Sequence, residues 1–575
     1  MKTLRTTIKV FFFFCLISPA IPIRAQEVSS TTRMYEVFDS HKKFQSARNK
    51  ALRTDWPYYT DSAIQEELAL LKSWKKTLIK LNTEELSDTD LINKELFLLI
   101  LDDRIFNLKY RSYLMPLNSE GGFITGILYS MQGLRLQTAE DQEIFLKKLA
   151  ALPAYLGRQE ALLEEGLQSG ITVPKIIVEK CLNIIAGFAE TSSSESIFLQ
   201  PFEGKEAENN AYLRALSLTE GKILPAYKKF YEYVKGTYLP QTRESIGARE
   251  LPEGKAYYEQ RVRFFTTLDI RPDQVFETGL AEVARIRAEM EQIIEALQFE
   301  GSFEDFLHFL RTDPQFYAKT AKELLLKAAW ISKRAEAFLP KYFNKLPRMP
   351  FTVEPVPAAI APNYTGGRYS EGSYKTGKPG AFWVNTYALN TRPLYVLPAL
   401  ALHEGVPGHH TQIMLSAEIE NVPAFRRSTY LSAFGEGWAL YAEYLGKEAG
   451  IYETPYEDFG RLTYEMWRAC RLVVDVGMHY KGWSRRQALD YMTANTALSL
   501  HEVETEIDRY IGWPAQAVSY KMGELTIRQL RKEAEATLGE EFDIRAFHDV
   551  MLENGSIPMN SLQRIVKTFI QRSQN

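Results

Sequence analysis

The chain has 575 residues, a formal charge of −3, 45% apolar and 25% charged residues. Its 32 Phe and 31 Tyr exclude a disordered chain, and the lack of a basic excess argues against a nucleic-acid partner. The length exceeds one ordinary core and predicts two to four domains or one large helical body.

Residues 1–25 read as a secretory signal. Lys2, Arg5 and Lys9 form a positive start, and 10–20 is an apolar run too short for a bilayer, which takes about 20 residues. Ala25 offers a small residue for cleavage before Gln26. Cys15 lies in the apolar run and is not read as a lipid anchor. Removing the segment takes away Lys2, Arg5, Lys9 and Arg24 and no acid, so the formal charge goes from −3 to −7. No later stretch approaches 18 consecutive apolar residues, so no membrane span is expected. The predicted location is exported, periplasmic or extracellular. Cys181 and Cys470 remain, and two buried free thiols are expected rather than a disulfide or a thiolate metal site.

Helical periodicity then dominates. Residues 89–110 carry apolar side chains at helical spacing behind Ser87-Asp88-Thr89, which offers an N-cap. Residues 141–152, 174–188 and 225–236 read likewise. Pro240 and the turn at 250–254 interrupt the pattern and suggest a soft boundary. It divides a helical region, 26–250, from a region 251–575 that carries the chemistry. Residues 273–297 predict a strong helix, followed by others at 302–310 and 320–339. Residues 346–394 are rich in Pro, Gly and aromatics and are the one place for strands. Within them 380–386 is expected to be an edge strand lying over the chemistry. From 397 onward helices return. The expected fold class is mainly α, with a small irregular β-sheet beside the active-site cleft.

Histidine is scarce, at eight residues, yet three fall within 403–410. His-Glu with a second His nearby is how a helix presents two imidazoles to zinc and a carboxylate to water. The usual spacing places the second His four residues on, but that position is Pro407. On an unbroken helix His410 would lie about 10 Å further along the axis, at about 1.5 Å per residue. One ion with bonds of about 2 Å cannot reach both. The helix must therefore be irregular. Pro407 cannot donate to the His403 carbonyl, and Gly408 tolerates the bent backbone. A two-residue bulge would bring His409 to the ligand position; a three-residue bulge would bring His410. The smaller distortion favours His409 and leaves His410 to the substrate or to the surroundings of the ligands. Glu436, flanked by Gly435 and Gly437, is the expected third ligand, with Glu443 the weaker choice two turns on. The expected cofactor is Zn²⁺.

Glu404 is then the candidate general base. His479, Tyr510 and Tyr520 are candidate donors to the oxyanion of a tetrahedral intermediate. Asn385, Trp383, Tyr374 and Lys378, with Tyr364 and Arg368, are candidates to line the substrate cleft. The 380–386 strand would pair with an extended peptide by strand addition.

The string 403–410 (HEGVPGHH), followed by Glu436-Gly437-Trp438-Ala439, resembles a large bacterial family long catalogued as a domain of unknown function. Its members are often assigned as zinc metallopeptidases. That family looks distantly related to angiotensin-converting enzyme and carboxypeptidase Taq, both mainly helical zincins. The metal helix of those relatives ends its motif in Gly-His, matched here by Gly408-His409, which supports His409. Segments 265–269, 279–287, 380–386, 471–475 and 512–516 carry the resemblance over most of the chain. Gly405 departs from it, where Ala is common. The exchange costs up to about 1 kcal/mol of helix stability and touches no ligand. The resemblance implies a large zincin-like helical body and hydrolysis of a peptide substrate. One rival is a zinc hydrolase of a non-peptide amide. Another is a catalytically idle helical scaffold that binds peptides; it predicts no zinc and no dependence on Glu404. Composition carries no signal for oligomeric state.

Overall fold

The computed structural model describes residues 29–118, 122–131, 134–202, 210–358 and 360–574. The expected signal segment, Cys15 included, lies outside the described residues. The architecture is mainly α with one small sheet. Helix α1 (Asp88–Tyr110) starts as its sequence suggests, with the Ser87 side chain accepting from the Asp90 amide. Helices α2 (Pro272–Ala296) and α3 (Ala321–Tyr342) follow the periodicity, and Thr320 caps α3.

After α3 come β1 (Phe351–Pro355), β2 (Gly367–Ser370) and β3 (Gly380–Val384). The strand order is β1-β3-β2, with β1 parallel and β2 antiparallel to β3. The segment expected to form an edge strand is therefore the central one. Ala381, Phe382 and Val384 are buried, and neighbours cover β3 on both flanks. Near-continuous apolar sequence is what a strand enclosed on both faces requires. The two edges are β1 and β2.

Five helices then frame the site: α4 (Leu397–Glu404), α5 (His409–Ala417), α6 (Ser432–Glu448), α7 (Pro455–Val476) and α8 (Leu500–Gly512). A sixth, α9 (Ser519–Leu538), packs along α6, as α7 packs along α2. The α6–α9 crossing is backbone on backbone. A Cβ at Gly437 would come within 2.7 Å of the Gly523 Cα, and one at Gly523 would run into the Ala433 carbonyl. Helix α7 is shared between two large apolar cores, giving Phe459, Leu462 and Met466 to one and Tyr464 to the other. Cys181 and Cys470 are free and buried. Among the described residues no helix is long and apolar enough to cross a membrane.

Candidate metal centre

The helix that carries His403 and Glu404 ends there. Residues 405–408 leave helical geometry, and a second helix starts at His409. The interruption is thus a break between two helices rather than a bulge inside one. Pro407 has no amide hydrogen to continue the ladder. A Cβ at Gly408 would run into the His403 carbonyl, so only glycine lets the chain fold back this closely. The Gly408 amide donates to the Leu402 carbonyl at 3.0 Å, and the Trp438 indole donates to the Pro407 carbonyl at 2.8 Å. These bonds pin the break against α6.

The break turns His409 back toward His403. Their ring centroids lie 4.8 Å apart and the planes are nearly perpendicular, at 89°. Glu436, on the first turns of α6, faces both. Its Oε2 is 3.5 Å from the His403 Nε2 and 3.5 Å from the His409 Nε2. The three donor atoms lie within 4.8 Å of one another. Bonds of about 2.0–2.1 Å in a tetrahedral shell separate donor atoms by about 3.4 Å. The carboxylate-to-imidazole distances match that spacing. Two imidazoles and a carboxylate are also a donor set that zinc accepts. The buried His409 Nδ1 has no partner. By the two carboxylate distances and the donor types the residues fit a zinc ion.

Behind this cluster stands Glu443. Its Oε1 is 2.6 Å from the His403 Nδ1, a hydrogen bond that fixes the ring with its Nε2 toward Glu436. Arg468 lies 3.5 Å from the same oxygen. Burial alone would lower the His403 pKa, but hydrogen bonds to Glu436 and Glu443 and the Glu404 charge raise it to about 9. Burial would likewise raise the Glu436 carboxyl, yet the two imidazoles hold it well below the usual carboxylate range. Glu404 is buried beside it, and its Oε2 accepts the Tyr369 amide of β2 at 2.8 Å. The edge strand therefore meets the candidate base directly.

Several residues expected at the site have other duties. His410 is saturated: its Nε2 donates to the Met349 carbonyl and its Nδ1 accepts the Tyr369 hydroxyl, both at 2.9 Å. Burial lowers its pKa to about 4, so it is a neutral latch between α5 and the sheet rather than a substrate contact. His479 is a second such latch, accepting the Ala248 amide at 3.0 Å and donating to the Tyr510 carbonyl at 2.9 Å. With both ring nitrogens taken and the ring buried, it has no donor left for an oxyanion. The Tyr510 hydroxyl accepts from Arg471 at 2.7 Å and Trp467 at 3.0 Å and donates to Glu506 at 2.6 Å, so it too is spent. Tyr520 remains a candidate donor. The Arg471 guanidinium lies 4.3 Å from its ring, and burial with the nearby Glu436 charge keeps its hydroxyl protonated.

On the sheet side, Asn385 is buried, and its amide donates to the carbonyls of Ala361, Tyr364 and Thr365 at 2.9–3.0 Å. It ties the loop before β2 and has no donor for a substrate backbone. Trp383 sits one strand back from the edge and bonds Glu354 at 3.4 Å. Lys378 bonds Ser370 at 3.1 Å, and Tyr374 donates to Glu418. Two groups that the sequence left unassigned belong to the site instead. The Tyr430 hydroxyl donates to the Glu436 Oε1 at 3.1 Å, and the Tyr369 amide holds Glu404. Neither has a signal in the sequence, since a backbone amide is anonymous and Tyr430 is one tyrosine among 31.

Among curated proteins none matches this chain. A solved structure from Colwellia psychrerythraea, described as a lipoprotein, is similar at 26% identity and a TM-score of 0.87, covering 95% of this chain and 100% of that one. One from Shewanella oneidensis, described as a lipoprotein of unknown function, is similar at 18% identity and a TM-score of 0.76, covering 94% and 100%; that likeness speaks to fold alone. The profile of the bacterial proteins of unknown function DUF885 matches residues 44–566, almost the whole chain, and the chain belongs to that family.

Proposed function

We propose that this protein is an exported, zinc-dependent peptidase. One observation carries the reading: His403, His409 and Glu436 converge on one point, with the carboxylate of Glu404 on the residue next to a ligand. A bound zinc ion would polarise a substrate carbonyl and acidify water. Glu404 would take the proton of the attacking water and pass it to the leaving amine. The Tyr369 amide fixes one of its oxygens and leaves the other for that proton. Of the three candidate donors, Tyr520 is the one left to donate to the developing oxyanion. An extended peptide would run along β2, the edge strand beside Glu404, rather than along the enclosed β3. The decisive experiment is metal analysis followed by digestion of a peptide library, with products identified by mass spectrometry. Cleavage should stop on chelation and return with zinc. A protein that takes up no zinc and cuts no peptide would refute the reading.

Export is supported by the basic and apolar start of the sequence and by the similar Colwellia structure described as a lipoprotein. Mass spectrometry of the chain from the envelope fraction should find Gln26 at the N-terminus; an intact Met1 contradicts it.

The two adjacent histidines separate in this reading. His409→Ala should lose metal affinity and activity together. His410→Ala should keep its zinc and lose activity by about 10–100-fold, because the latch acts on Glu404 through Tyr369. Zinc binding that survives in His409→Ala and fails in His410→Ala would reverse the assignment.

A further inference from the structure

We propose that Tyr430 is a positioning residue that reserves one oxygen of Glu436 for the metal by occupying the other. The inference rests on the metal-centre reading above. The two carboxylate oxygens of Glu436 have different surroundings. Oε2 faces both imidazoles, whereas Oε1 accepts the Tyr430 hydroxyl at 3.1 Å. A carboxylate with both oxygens free can close on an ion with both. That would fill a position that a catalytic zinc must keep open for water and substrate. A hydrogen bond to Oε1 works against this mode and leaves Glu436 as a single-oxygen ligand.

The local sequence is shaped for that contact. Tyr430 lies in the segment just before α6, which is anchored where the Leu431 amide donates to the Ser556 hydroxyl at 2.8 Å. Its ring lies across the first turn of α6, over Gly435. A Cβ at position 435 would run into the ring and its hydroxyl, so the missing side chain makes room for the tyrosine to reach the next residue's carboxylate. Tyr430 as a residue is 47% exposed, while the carboxylate it holds is mostly buried. Packing alone does not fix such a ring. Its place is set by the hydroxyl contact and by the gap at Gly435.

Cobalt(II) is the probe, because its visible bands weaken and shift when coordination number rises. Tyr430→Phe removes the hydroxyl and little else. Gly435→Ala keeps the hydroxyl but displaces the ring. Both variants should fold, bind one Co²⁺ per chain and show the same weakened, shifted spectrum. Their metal affinity or turnover should change by about 10–100-fold, the range seen when the partner of a ligand is removed. A merely structural tyrosine would leave the cobalt spectrum unmoved. Spectra and affinity in Tyr430→Phe identical to the parent protein would overturn the inference while leaving the metal centre intact. A parent protein that takes up no Co²⁺ would overturn both.

Discussion

Glu404→Gln is expected to keep its zinc and lose peptide hydrolysis by about 10²–10⁴-fold, the usual contribution of a general base. The three donor atoms that converge are those of His403, His409 and Glu436, so the substitution leaves the metal set complete. It also spares the local fold. A glutamine carbonyl can still accept the Tyr369 amide that now bonds Oε2, so β2 stays docked. What the amide cannot do is carry a proton from water to the leaving group. Turnover and metal content measured on one preparation test this directly. Hydrolysis at the parent rate would remove Glu404 from the mechanism.

Removing a ligand should have the opposite signature, with metal and activity lost together. His403→Ala and Glu436→Ala each take one of three donors from a buried site. The loss of affinity should exceed the roughly 10–100-fold typical for a residue that only supports a ligand. Glu443→Gln provides the comparison, because it touches the His403 Nδ1 and none of the converging donor atoms. Its zinc affinity should fall within that smaller range. Titration with a competing chelator ranks the three variants. Full zinc retention in both ligand variants would refute the centre.

How much of this was legible beforehand depends on what each residue's neighbours had to be. The helical body follows from periodicity, and caps such as Ser87 mark its starts. The grouping of His403, His409 and Glu436 was legible because scarce histidines and a carboxylate flanked by glycines stand out at a spacing that could hold an ion. Pro407 and Gly408 also announced that the helix could not continue. The form of the interruption was not legible, since a break and a bulge place the same residues in sequence. The sheet order is not legible, because Gly380–Val384 reads as a strand over the site whether it lies at the edge or, as its apolar run allows, between two neighbours. The duties of His479, Tyr510 and Asn385 are hidden for another reason. Each is a polar side chain saturated by distant partners, the backbone of Ala248 for His479 and Arg471 and Trp467 for Tyr510. A buried polar group must be paired, and pairing of this kind leaves no local trace.

The crossing of α6 and α9 has a mechanical consequence. Gly437 and Gly523 meet with no side chain between them, so the joint has no soft layer to absorb displacement. Helix α9 cannot slide along α6 without carrying its neighbour with it. Glu436 stands beside one glycine, and Tyr520 precedes the other by three residues. The separation of a candidate metal ligand from a candidate oxyanion donor is therefore gauged by a hard stop in the backbone, as the gap of a calliper is gauged by its pivot.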